Sequence, residues 1–188
     1  MKLERVLDYA HTLLEDVISE GDCVVDATAG NGYDTVFLAN LVGNSGKVYA
    51  FDIQQQAINA TNDRLSQADL TSRCAVILAG HEEVATYVTT PIKAAIFNLG
   101  YLPGADHTIV TKPNTTLTAL DSILSQLVIG GVIVMIIYYG HDGGLEERDA
   151  LLTFVAALPQ KKINVLRYEF INQKNAAPFI IAIERIKA

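Results

Sequence analysis

Two glycines and two carboxylates crowd the segment Asp26-Ala27-Thr28-Ala29-Gly30-Asn31-Gly32-Tyr33-Asp34-Thr35, which leads from an apolar stretch straight into a helical pattern. Gly30 and Gly32 let the main chain approach a ligand closely, and the helix that follows offers free N–H groups. A dinucleotide turn of the G-x-G-x-x-G/A type needs a small third position. This chain has Thr35 there, and Asp26 would repel a pyrophosphate. An acidic, glycine-lined turn suits a cationic, phosphate-free ligand, and S-adenosylmethionine, with its amino group and sulfonium, has that chemistry. A plain strand-to-helix turn is the simpler alternative.

Four further segments carry reactive or binding side chains. Asp52 stands 20 residues beyond Gly32 at the end of a second apolar stretch, where a carboxylate can accept bonds from both ribose hydroxyls of a nicotinamide or an adenosylmethionine ligand. Ile53 and Gln54 are placed to border an adenine. Gly80-His81-Glu82 follows the third stretch, and His81 is expected against the same base or as part of a helix start. Asn98-Leu99-Gly100-Tyr101 follows the fourth. It is similar in its first and last positions to the [Asn/Asp]-Pro-Pro-[Tyr/Phe/Trp] motif of methyltransferases that act on exocyclic amines, with Leu99 and Gly100 in place of both prolines. An amide oxygen and a neighbouring carbonyl can hold the amine hydrogens there while an aromatic ring supports the base. Tyr138-Tyr139-Gly140-His141-Asp142 follows the fifth stretch and suits either substrate gripping, with His141 as a candidate proton acceptor, or a structural turn with surface tyrosines. No spacing of Cys, His or carboxylates suggests a metal.

The elements that must hold these segments alternate. The pattern predicts a helix over 4–19 stopped by Gly21. Strands follow at 23–27, 47–52, 74–79, 94–98 and 132–138, with helices at 33–40, 54–67, 81–88, 114–127 and 145–158. Asn114 or Thr115 is the expected cap of the helix at 114–127. Apolar strands alternating with helices imply a mostly parallel sheet covered on both faces. Two last strands, 163–170 and 179–186, are joined by too few residues for a parallel crossover and should pair antiparallel. The expected fold is α/β, a Rossmann-like, seven-stranded, mostly parallel sheet with an antiparallel last strand and helices on both faces, in one domain over 1–188. Ligands of such sheets sit beyond the carboxyl ends of the strands, where the five segments fall.

With 188 residues, 50% of them hydrophobic, the chain is long enough for a sizeable core and too apolar for disorder. The apolar run 128–139 is interrupted by Gly130 and Gly131 and is too short for a membrane span, and the acid-bearing first twenty residues do not read as a signal peptide, so a cytoplasmic protein is expected. Cys23 and Cys74 read as small core hydrophobes. A formal net charge of −7 argues against holding nucleic acid by bulk charge. The charge is uneven, however. Lys161, Lys162, Arg167, Lys174, Arg185 and Lys187 outnumber Glu169 and Glu184 near the end of the chain, either as solvated strand ends or as a surface for a polyanion. Lys174, in the final hairpin, is the candidate phosphate contact.

Six ordered motifs, DATAGNGYDT, FDIQ, GHE, NLGYLPGADH, YYGHDGG and INQKNAAPF, resemble across nearly the whole chain the bacterial "putative rRNA methylase" family of class I methyltransferases. The characterised members methylate the 5-aminomethyl group of wobble 2-thiouridine in tRNA. The resemblance implies S-adenosylmethionine as methyl donor, S-adenosylhomocysteine as product, no metal, contact with the tRNA anticodon region, and a homodimer. It further implies that Asp26, Thr28, Gly30, Asn31, Gly32, Asp34 and Thr35 surround the methionine part. Asp52 would hold the ribose, and Gln54 and His81 the base, with Ile53 bordering it. Asn98 and Tyr101 would orient the acceptor amine, with Asp106 and His141 as further contacts or proton acceptors.

Overall fold

The computed structural model describes residues 3–100 and 110–188. In chain order the elements are α1 (Val6–Glu15), β1 (Cys23–Asp26), α2 (Tyr33–Val42), β2 (Lys47–Asp52), α3 (Gln55–Gln67), β3 (Cys74–Leu78), α4 (Val84–Tyr87) and β4 (Ile92–Leu99). They continue with α5 (Pro113–Gln126), β5 (Leu127–Ile137), α6 (Gly144–Ala156), β6 (Ile163–Tyr168) and β7 (Phe179–Arg185). The strands form one sheet in the order β3-β2-β1-β4-β5-β7-β6. β7 lies between β5 and β6, antiparallel to both, and the neighbouring pairs among the other strands run parallel.

Strand alternation divides the core into two layers. Ala95, Phe97 and Leu99 of β4 and Ile133, Met135 and Ile137 of β5 pack toward α5 and α6. Ala94, Ile96, Val132, Val134 and Ile136 face the other way, toward α1 and α2. The expected alternation and the antiparallel final pair are therefore present. The register pairs Asp26 with both Ala50 and Ile96, which brings the carboxyl ends of β1, β2 and β4 to one edge of the sheet.

Several boundaries differ from the sequence expectation. α1 ends at Glu15, and Gly21, at φ +95°, belongs to the turn into β1. The segment 81–88 divides into a 3-10 turn, His81–Glu83, and the short α4. Lys112, rather than Asn114 or Thr115, occupies the cap position of α5, and among the described residues no side chain caps that helix. Pro113 takes the first helical position, where a missing N–H costs nothing. β5 starts at Leu127, five residues early, because the two glycines form an irregularity instead of a break. Gly130 adopts φ +72°, and Lys93 Nζ donates to its carbonyl at 3.0 Å. Cys23 and Cys74 are free, and burial raises both thiols, Cys74 to about 11. Among the described residues no helix is long and apolar enough to cross a membrane.

Candidate functional site

The turn after β1 is built for close approach. Gly30 and Gly32 adopt φ +53° and +79°. A Cβ on Gly32 would lie 2.8 Å from the Thr61 Cα, so α3 can seat against the turn only if this residue is glycine. Thr61 Oγ1 donates to the Gly30 carbonyl at 3.2 Å, and Arg64 Nε donates to the Asn31 carbonyl at 2.8 Å. The Asp52 carboxylate accepts from the Gly30 N–H and the Gln54 N–H, both at 2.9 Å, which fixes it beside the glycine turn. Next to it Ile53 is 60% exposed, an apolar surface beside the polar turn.

Asp26, expected to touch the ligand, has no accessible surface. Its carboxyl accepts from the Thr28 N–H at 3.2 Å and from the Thr35 hydroxyl at 2.6 Å, and Thr35 is equally buried. Burial, reinforced by the nearby Asp34 charge, pushes the Asp26 carboxyl up to about 7. Asp26 and Thr35 therefore shape the turn from beneath. His81 is likewise largely buried. It is 8% exposed, its Nδ1 donates to the Ala27 carbonyl at 3.1 Å, and its ring meets Phe97 edge-on. Burial lowers its pKa and keeps it neutral.

The end of β4 holds the most directional arrangement. The Asn98 N–H donates to Thr28 Oγ1 at 2.7 Å, and the Asn98 Nδ2 donates to Asp34 Oδ2 at 2.6 Å. An ionised carboxylate only accepts, so Asp34 must face the amide nitrogen and leaves the Asn98 oxygen turned the other way. The second Asp34 oxygen lies 2.7 Å from His11 Nε2, which by the same argument carries a hydrogen. The His11 ring stacks on Phe37 at 3.9 Å. Tyr138 borders this group: burial raises its phenol, and the Asp34 charge adds to the effect. His141 is also close, since a Cβ on Gly100 would lie 3.3 Å from the Tyr138 Cβ and 3.8 Å from His141 Nε2. Tyr101 and Asp106 lie outside the described residues.

Beneath this edge runs a second polar chain. The Gly100 N–H donates to Thr111 Oγ1 and the Thr111 N–H to the Gly100 carbonyl, both at 3.1 Å. Glu147, 1% exposed, accepts from the hydroxyls of Thr111 at 2.6 Å and Thr116 at 2.7 Å. Neither His11 nor Glu147 stands out in the sequence. His11 sits in an ordinary amphipathic helix, and Glu147 is one of two adjacent glutamates in the first turn of α6.

The structure thus joins Thr28, Gly30, Asn31, Gly32, Asp34, Asp52 and Asn98 at one edge, adds His11 and Tyr138, and withdraws Asp26, Thr35 and His81 into the interior. The glycine turn gives room for a close-lying chain, Asp34 offers negative charge, Asp52 can accept from vicinal hydroxyls, and Ile53 offers an apolar surface to an aromatic base. That donor set fits a cationic adenosine ligand. Among the described residues no group of three or more metal-ligating side chains converges.

A family model described as "Putative rRNA methylase" matches residues 48–184. A tRNA (mnm(5)s(2)U34)-methyltransferase of the Arabidopsis thaliana chloroplast is 34% identical over 97% of this chain and 70% of its own length. Two crystal structures superpose closely. The "putative rRNA-methylase" of Clostridium thermocellum is 46% identical with a TM-score of 0.97, covering 99% of this chain and all of that one. A "putative methyltransferase" of Streptococcus mutans, in complex with SAH, is 45% identical with a TM-score of 0.91, covering 97% and 99%.

Proposed function

The chain belongs to the family described as "Putative rRNA methylase" and is an S-adenosylmethionine-dependent methyltransferase, and from that premise we propose that its acceptor is the 5-aminomethyl group of wobble 2-thiouridine in tRNA. The product would be the methylaminomethyl nucleoside together with S-adenosylhomocysteine. The Arabidopsis relative bears the name of that reaction at 34% identity. The observation that carries the reading is the Asn98 amide, whose orientation Asp34 fixes at the end of β4.

When bound, S-adenosylmethionine supplies a methyl group on a sulfonium, open to in-line attack by an amine lone pair. The protein's part is to position and to deprotonate. Asp52 receives the ribose hydroxyls, Ile53 and Gln54 border the base, and Thr28, Gly30, Asn31, Gly32 and Asp34 surround the methionine part. The Asn98 oxygen accepts one amine N–H, which aims the nitrogen lone pair away from the amide and toward the methyl group. Tyr101 supports the acceptor base. An alkyl ammonium resembles lysine, with a pKa of ~10.4, so the pocket must favour the neutral amine, and desolvation beside Tyr138 does so. His141, or a water held by Asp106, takes the proton.

The reading extends to a homodimer acting in the cytoplasm on the anticodon region, with Lys174 on RNA phosphate. Sedimentation and cell fractionation test the first two. The acceptor is tested by incubating the purified protein and S-adenosylmethionine with tRNA carrying 5-aminomethyl-2-thiouridine, then digesting to nucleosides for mass spectrometry. A gain of one methyl group at that nucleoside is expected, and methylation of another nucleoside or of none removes the assignment.

A further inference from the structure

Beside Tyr138 opens a groove of about 440 Å³ between the start of α1 and the hairpin that joins β6 to β7. Arg5, Leu7, Asp8, Tyr138, Phe170 and Gln173 are among the residues that line it. It shares Tyr138 with the candidate site, since the Asp34 charge acts on that phenol and the Tyr138 N–H donates to the Leu99 carbonyl at 3.0 Å. Its walls are braced from both sides. The Tyr168 hydroxyl donates to the Glu4 carbonyl at 2.8 Å, and the Tyr168 ring lies 4.2 Å from Tyr9 and 5.8 Å from Phe170, centre to centre. The volume is in the range of small-ligand pockets, ~300–1,000 Å³.

We infer that this groove seats the pyrimidine ring of the acceptor nucleotide, so that its 5-substituent reaches the Asn98 amide and its phosphate meets Arg5 at the rim. The inference rests on the tRNA reading given above. The chemistry of the lining favours a nucleobase. Aromatic and apolar walls offer stacking to either ring face, and Gln173 carries a donor and an acceptor side by side, matching the alternating edge of a pyrimidine. Among the described residues Arg5 pairs with the exposed Asp8 of the same groove wall, at 2.8 Å. Such surface pairs are weak, so the guanidinium can change partner to a phosphate at little cost. Lys174 follows Gln173 in the same exposed hairpin and extends the positive rim. A second copy of this chain is the competing occupant, since Leu7 in the groove wall and Ile171, next to Phe170, are exposed.

The test compares the wild type with Phe170→Ala, Gln173→Ala and Arg5→Ala on aminomethyl-modified tRNA and on the free 5-aminomethyl-2-thiouridine nucleoside. S-adenosylmethionine affinity by calorimetry serves as the folding control. Gln173 and Arg5 are exposed, so their variants report even if Phe170→Ala does not fold. KM for tRNA should rise tenfold or more in all three, with cofactor affinity unchanged. Phe170→Ala and Gln173→Ala should also weaken the free nucleoside, whereas Arg5→Ala should affect tRNA alone. A wild type that methylates the tRNA while all three variants keep its KM overturns the groove assignment and leaves the tRNA reading intact. A wild type inactive on this tRNA overturns both. Variants that change the sedimentation of the protein without changing KM assign the groove to self-association instead.

Discussion

Asp34 Oδ2 lies 2.6 Å from the amide nitrogen of Asn98, across 64 residues of sequence. This bond decides which end of the amide faces the acceptor. Asp34→Asn removes the decision, because an amide at 34 satisfies either orientation of Asn98. Its turnover should fall about a hundredfold, in the range seen when one positioned polar contact is lost from an active site. Asn98→Ala should fall at least as far while binding S-adenosylmethionine within a few-fold of wild type. Single-turnover transfer rates and calorimetry check both, and an Asn98→Ala enzyme with normal turnover would contradict the assigned role.

His11 holds the other oxygen of the same carboxylate, at 2.7 Å. It acts on the acceptor through Asp34, so its loss should be milder. His11→Ala should lower kcat by about tenfold, the scale of one hydrogen bond to a charged group. His11→Gln, which keeps an N–H donor, should recover part of that loss. Equal damage from the two substitutions would mean that the ring's stacking on Phe37 matters more than its bond.

Asp26 gives a pH signature. Its native carboxyl sits near 7 against an ordinary value of 3.8, so the folded state binds this proton more tightly than the unfolded chain does. The contribution to stability is fullest below the ordinary value and is lost as pH rises toward 7. In the ligand-free protein, Asp26→Asn should therefore gain stability relative to wild type between pH 5 and pH 8. Urea denaturation at the two pH values measures the difference, and a constant gap would refute it.

Glu147 is buried and accepts from two threonine hydroxyls, one of which anchors Gly100. Glu147→Ala strands both hydroxyls and should cost roughly 1–3 kcal/mol of stability. The milder Thr111→Val removes the acceptor for the Gly100 N–H. It should lower kcat more than cofactor affinity, read from denaturation curves beside kinetics.

Gly32→Ala meets the Thr61 Cα at 2.8 Å and a backbone at φ +79°. A loss of about 1 kcal/mol or more is expected, with weakened S-adenosylmethionine binding because the turn itself must move. Thermal melts with and without the cofactor test this pair of effects.

The element order, the parallel sheet and the antiparallel last strand were legible because each buried strand is a short apolar run between turn residues. The ligand edge was legible because Asp52 and Asn98 are polar residues at the ends of such runs. What escaped depended on partners far away in sequence. A carboxylate at a strand end reads alike whether it meets a ligand or, as with Asp26, two threonines. His81 reads as a loop histidine until Phe97 and the Ala27 carbonyl enclose it. His11 acquires its meaning only from Asp34, 23 residues on. Gly130 and Gly131 read as a strand break, yet β5 continues through them because Lys93 of the neighbouring strand bonds into the irregularity.

β7 occupies the slot between β5 and β6, and it is made last among the seven strands. During synthesis β5 therefore emerges with its long apolar flank, Val132–Ile137, lacking the partner that will cover it, and β6 has nothing in the sheet to pair with. β6 joins the sheet through Phe179–Arg185, so the order β5-β7-β6 is complete only once that strand is available to both neighbours. Until then the nascent chain carries an open strand edge next to the acceptor end of β4, so the steps that complete the sheet also complete the catalytic edge. Ribosome stalling or premature termination before residue 179 would leave that edge available for pairing with other chains, and quality-control machinery would meet an aggregation-prone intermediate instead of a partly active enzyme.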